Sequence, residues 1–171
     1  MSGMTLGVAI EIPEPFGSII DTARLGFQPN MGRMPAHITL LPPFDVDREV
    51  LSGVVEHLTM VAKECDQFDV ELHGTGTFQP VSPVVFIALA RGISSCERVE
   101  AKVRSGILGV ESRFPYHPHV TLVHDESDEI LNSAFDDFTD FRASFTVAQM
   151  HLFHMRASSW HSLEAFTFTA R

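Results

Sequence analysis

Cysteine, cationic side chains and long apolar runs are all scarce in this chain, and each shortage excludes something. Two cysteines occur in 171 residues, Cys65 and Cys96. Both sit in helix-like runs and neither neighbours a histidine at ligand spacing, so neither a disulfide framework nor a zinc site is expected. That usage suits a reducing compartment, and the cytoplasm is the expected location. No apolar run approaches the length of a bilayer span, and no basic stretch leads into an apolar core at the N-terminus, so neither anchor nor secretory signal is read. Lys and Arg number 12 against 22 Asp and Glu, a net charge of −10. That balance argues against grasping extended nucleic acid, which takes many cations to displace counterions. It leaves room for a local basic pocket, with Arg33, Arg91, Arg104 and Arg113 as candidates. Low-complexity segments and linkers are missing too. With 44% apolar and 20% charged residues, the chain reads as one globular domain of two tightly packed lobes, and as a monomer.

What is present is a short pattern, His-apolar-Thr-apolar, which composition alone would produce about 0.1 times. It occurs three times, at His37-Ile38-Thr39-Leu40, His57-Leu58-Thr59-Met60 and His119-Val120-Thr121-Leu122. The second copy lies in a run with helical apolar spacing, where residues two apart do not share a face, so a solvated helix surface is expected there. The first and third follow a proline closely and alternate as half-buried strands do. On a strand His37 and Thr39 share one face while Ile38 and Leu40 share the other; His119 and Thr121 stand likewise against Val120 and Leu122.

The element order around these two copies is similar. A strand from Thr5 to Ile12, a short helix after Pro15 and a turn-rich loop at 26–34 lead to the first motif strand at 36–41. Pro42-Pro43 should stop it. Asp45 or Asp47 then caps a helix to about Glu64, followed by a strand from Phe68 to Phe78. The second half begins with a fully apolar strand, Val84 to Ala90. A helix capped by a Ser94/Glu97 box carries Cys96, Val99, Val103 and Ile107. The second motif strand at 119–123 follows a loop at 109–118. A helix with Ile130, Leu131, Ala134, Phe135 and Phe138 comes next, then one strand from about 141 to 153 with a bulge near Val147. The order repeats over 5–78 and 84–153, and a last strand spans about 162–169.

In its two Pro-flanked strand motifs, His37-Ile38-Thr39-Leu40 and His119-Val120-Thr121-Leu122, the chain resembles the two-histidine phosphoesterases, a superfamily that includes the 2′-5′ RNA ligase and RNA 2′,3′-cyclic phosphodiesterase family. Gly74-Thr75-Gly76-Thr77-Phe78 also resembles a stretch such proteins carry between their motifs. The resemblance implies an α+β fold of two lobes related by a pseudo-twofold. Each lobe is a mostly antiparallel sheet with helices outside, and each presents one motif to a central cleft. The basic residue that some bacterial members carry just after the second motif is replaced here by Val123-His124.

Opening a cyclic phosphodiester with water takes a base for the water proton and an acid for the departing ribose oxygen. Histidine titrates near pH 6.5 and can serve as either, so His37 and His119 are the candidate catalytic pair. Thr39 and Thr121 can donate to non-bridging phosphate oxygens. This scheme needs no metal and no cofactor. A base would need an aromatic wall, for which Phe44, Phe78, Tyr116 and Trp160 are available and Tyr116 is favoured. The expected activity is hydrolysis of a 2′,3′-cyclic phosphate, on a small nucleotide or a short RNA end, to a phosphomonoester. Weak 2′-5′ ligation would be its reverse. The alternative is a binding module that retains the cleft without turnover.

Overall fold

The computed structural model describes residues 3–30, 34–109 and 111–170. Among them strand β1 (Gly3–Glu11) leads to helix α1 (Phe16–Phe27), motif strand β2 (His37–Asp47), helix α2 (Leu51–Lys63) and strand β3 (Phe68–Thr77). Then come β4 (Val84–Arg91), α3 (Ile93–Val103), motif strand β5 (His119–His124), α4 (Asp128–Asp137), β6 (Arg142–Val147), β7 (Gln149–Arg156) and β8 (Ser159–Thr167). They build two antiparallel four-stranded sheets, ordered β2-β1-β7-β8 and β5-β4-β3-β6. The α+β, two-lobed architecture is the one expected.

Each motif strand is the edge strand of its sheet, and the two edges touch. Alternation sets their faces: Ile38, Leu40, Val120 and Leu122 are fully buried, whereas His37, Thr39, His119 and Thr121 are half-buried on the opposite side. Burying each aliphatic side chain is worth about 1.5–3 kcal/mol, which fixes the register against a one-residue slip. One strand of each half crosses to the other lobe. β3 joins β4 in the second sheet, and β7 returns to β1 in the first, so a single hydrophobic core runs through both.

Four local expectations are corrected. Pro42 and Pro43 do not end the first motif strand, which continues to Asp47; β2 is an edge, and the ladder shifts register at Val8, so the missing N–H groups are tolerated. Consequently α2 begins only at Leu51, after a 3₁₀ turn, and neither aspartate caps it: the Asp45 carboxylate accepts from the Thr5 hydroxyl at 2.6 Å instead. No capping box forms at α3, because the helix already starts at Ile93 behind left-handed Gly92, and Ile107 lies exposed in a separate turn. The single strand drawn over 141–153 is two strands in different sheets. The slip near Val147 is a change of sheet at Ala148, whose carbonyl accepts from Phe168 N–H at 2.8 Å.

Gly92 has φ of 95°, and a Cβ there would lie 2.8 Å from both the Asp69 carbonyl oxygen and Val70 Cγ2. Gly92→Ala should therefore lose about 1–3 kcal/mol of stability in urea unfolding. Gly26→Ala, with nothing within 4 Å of the new methyl, should be neutral or stabilising. Equal effects at the two positions would contradict this.

Candidate active site

Both histidines are held in the same way. His37 Nδ1–H donates to the carbonyl of Pro35 at 2.7 Å, and His119 Nδ1–H donates to the carbonyl of His117 at 2.6 Å. A carbonyl oxygen only accepts, so each Nδ1 carries the hydrogen and each neutral ring keeps its lone pair on Nε2. The bond runs to residue i−2 in both motifs, across Ala36 in one and Pro118 in the other. Helix α1 secures the first motif further, since the Asp21 carboxylate accepts from Ala36 N–H at 2.9 Å and from Arg24 Nη1–H at 2.8 Å.

Two cavities flank the pair and meet at Thr39 and Pro42, which line both. One, of about 300 Å³, contains His37, Thr39, Thr121, Arg24, His124 and Trp160. The other, of about 760 Å³, contains His119 with Phe78, Tyr116, Phe114, Arg113 and Arg104. The fold thus brings together all four residues of the two strand motifs. Burial lowers the pKa of His37 to about 4, reinforced by Arg24 and by His119. Burial lowers His119 as well, with His117 adding to the effect. Phe78 stands edge-on to His119, with ring centroids 4.9 Å apart, and also to exposed His117.

The remaining candidates divide. Tyr116 lines the larger cavity, but its hydroxyl donates to the Thr39 carbonyl at 2.8 Å, tying the approach to β5 onto β2, and burial raises its pKa. Trp160 lies across Gly7 in the smaller cavity, while Phe44 packs against the core outside both. Arg113 lies over Phe114, 5.6 Å from its ring centroid, and Arg104 is bonded to Glu100. Arg91 pairs with Asp69 outside both cavities, and Arg33 lies outside the described residues. His57 is helical as expected but not solvated: half-buried, its Nε2–H donates to the Val103 carbonyl at the end of α3. Both cysteines are free and buried, with Cys96 pushed up to about 12. Among the described residues, no group of three or more His, Cys, Asp or Glu is placed to hold a metal ion.

Sequence reasoning missed Arg24 and His124. Arg24 carries no motif and reaches the site only because α1 docks beside β5 and bonds the residues just ahead of β2. His124 is turned towards Thr121 by a register shift opposite Val85 and Phe86, and no spacing rule would reveal that.

The family model of the 2′-5′ RNA ligase superfamily matches residues 12–158. The chain belongs to this superfamily. It is 29% identical over 132 residues to a protein of Oceanobacillus iheyensis provisionally named a phosphoesterase, covering 75% of this chain and 77% of that one. A Bacillus licheniformis protein named in the same way is 26% identical over 168 residues, covering 95% and 98%. Among solved structures, Escherichia coli LigT superposes with a TM-score of 0.71 at 20% identity over 99% of both chains. Its structures include complexes with 3′-AMP, NADP+, ATP and phosphate. At that identity the likeness establishes a shared fold. No described helix is long and apolar enough to cross a membrane.

The low pKa of His37 has a stability consequence. Folded His37 binds a proton less readily than unfolded His37, so between pH 6.5 and about 4 the unfolded chain takes up more protons. Stability is therefore retained above pH 6.5 and falls as pH drops through that window. His37→Gln should flatten the fall, read as unfolding free energies in urea at pH 7 and pH 4.5. An unchanged slope would contradict the assignment.

Proposed function

We propose that this protein is a metal-independent phosphodiesterase that hydrolyses 2′,3′-cyclic phosphates of small nucleotides or short RNA ends to phosphomonoesters. We further read it as one bilobal domain acting as a monomer in the cytoplasm. The observation that carries the reading is the matched pair of ring bonds. Both Nδ1 atoms are bound to backbone carbonyls, so the Nε2 atoms are left to work on a ligand between the two cavities. A binding module has no need for two proton carriers held in one tautomer. Hydrolysis needs both, one to take the proton of water and one to protonate the departing ribose oxygen.

Thr39 and Thr121 share the smaller cavity and are suited to donate to the non-bridging oxygens, where charge accumulates in the transition state. Small-nucleotide binding by a fold relative supports the substrate class: LigT has been solved with 3′-AMP, NADP+ and ATP. Tyr116 contributes its ring as wall while its hydroxyl fixes Thr39. Ligation through a 2′-5′ bond is the same chemistry reversed and is expected to be minor.

His37→Ala and His119→Ala should each lower turnover of 2′,3′-cyclic nucleotides by about 10²–10⁴ without unfolding the protein. Neither ring belongs to the buried core. Wild-type rates in either variant would sink the acid–base roles. Activity should persist in EDTA; its loss and recovery with Zn²⁺ or Mn²⁺ would move the reaction into the metal class.

The pH dependence follows from both rings being shifted down. kcat/KM, which reports the free enzyme, should be bell-shaped with both limbs below pH 6.5, because one ring must be neutral and the other charged. A profile still rising above pH 7 would contradict it.

A further inference from the structure

A further cavity, of about 510 Å³, lies away from the motifs and shares no lining residue with either cavity at the histidine pair. In the ladder between β1 and β7, His154 stands opposite Leu6, and directly opposed residues of an antiparallel pair share a face. His154 is therefore on the side of the first sheet that carries Leu6, Val8 and Ile10. Thr39 is on the other side, opposite Ala9. The cavity opens at the end of the sheet, between the start of β1, the 3₁₀ turn ahead of α2 and the turn joining β7 to β8.

Its charge is unlike that of the chain. Arg48 from the 3₁₀ turn, Arg156 from the end of β7 and His154 all line it, and the His161 ring centroid is 6.1 Å from that of His154. No Asp or Glu is among its described lining residues, in a chain with a net charge of −10. Asp47 and Glu49 flank Arg48 in sequence, yet among the described residues neither arginine forms a salt bridge or a side-chain hydrogen bond. The Asp45 carboxylate is engaged by the Thr5 hydroxyl at 2.6 Å. Burial lowers the pKa of His154, and Arg156, His161 and Arg48 lower it further, so the neighbours that bear on it are all cationic or able to become so. Like charges gathered without a partner repel one another, and a bound anion turns that cost into attraction.

The rest of the wall is largely apolar, with Met4, Leu51, Met155 and Leu163 in it. Met155 and Leu163 stay 42% and 41% exposed. An apolar wall with a few convergent polar groups, at this volume, is the usual form of a small-molecule site.

We propose that this cavity binds a small organic phosphate ester, its phosphoryl group held by Arg48 and Arg156 and its organic part lying against Met4, Leu51 and Leu163. Two permanent positive charges match the nearly dianionic head of a phosphate monoester better than a single carboxylate. The planar fork of each guanidinium can meet two phosphoryl oxygens at once, and His154 supplies a further donor. The site is independent of the phosphodiesterase reading, because binding here involves no turnover and no residue of the cleft.

NMR titration of ¹⁵N-labelled protein with phenyl phosphate, inorganic phosphate and benzoate tests it. The Thr5, Ala157 and Ser158 amides report on this cavity, and those of Thr39 and Thr121 report on the cleft. Phenyl phosphate should shift the first group saturably. Inorganic phosphate, which lacks the ring, and benzoate, which carries one charge, should each bind at least about fivefold more weakly. Arg48→Gln and Arg156→Gln should each weaken phenyl phosphate about tenfold, with the Thr39 and Thr121 amides at their wild-type positions as the check that the fold is intact. Arg98→Gln removes the same charge from exposed α3 and should change nothing. The site is overturned by the absence of a saturable shift in wild type, by equal affinity for the three probes, by wild-type affinity in both Gln variants of the cavity, or by an equal loss in Arg98→Gln.

Discussion

A hydrogen bond from a histidine ring to the carbonyl two residues back is what the rest of the site depends on. It selects the tautomer, aims the ring and leaves Nε2 with a lone pair, all with one backbone contact. The bond needs the chain to bend just before the motif strand, so that the carbonyl of residue i−2 meets the ring. Pro35 provides that carbonyl in one copy; in the other Pro118 sits between His117 and His119 and sets the bend. Alternation along the strand then places each threonine beside its histidine and drives the aliphatic partners into the core.

Holding the lobes in register is a separate problem, because two edge strands offer each other no continuous ladder. Side chains bridge them, Gln28 and Tyr116 among those described. Gln28 on the first lobe is buried and pairs with both backbone groups of His124, its Oε1 accepting from the amide at 3.2 Å. The Tyr116 hydroxyl, from the second lobe, reaches the Thr39 carbonyl. Exchange of β3 and β7 between the sheets adds a shared core beneath. The cleft is thereby fixed at both ends, which suits chemistry that requires two rings at a set separation.

Much of this was legible in the sequence, and the exceptions have physical causes. The motif strands, their faces and the α+β order follow from period-2 and period-3.6 patterns, which reflect burial directly. Reading His57 as helical was right because its apolar neighbours repeat with the helical period. Reading it as solvated was wrong because the carbonyl it reaches belongs to α3, 46 residues away. Pro42-Pro43 misled for a similar reason: a proline stops a strand only where its N–H is needed, and edge position is a tertiary property. The sheet change at Ala148 looked like a bulge because both interrupt alternation identically. Arg24 and His124 join the site through helix docking and a register shift, neither of which leaves a local pattern.

The central claim is that both rings are fixed as Nδ1–H tautomers, and nitrogen NMR of the imidazoles tests it most directly. On uniformly ¹⁵N-labelled protein at pH 7, long-range proton–nitrogen correlations distinguish a protonated ring nitrogen from one bearing a lone pair. His37 and His119 should both show protonated Nδ1 and unprotonated Nε2, and each signal should vanish in the corresponding alanine variant. An Nε2–H tautomer in either ring, or averaging between the two forms, would contradict the account.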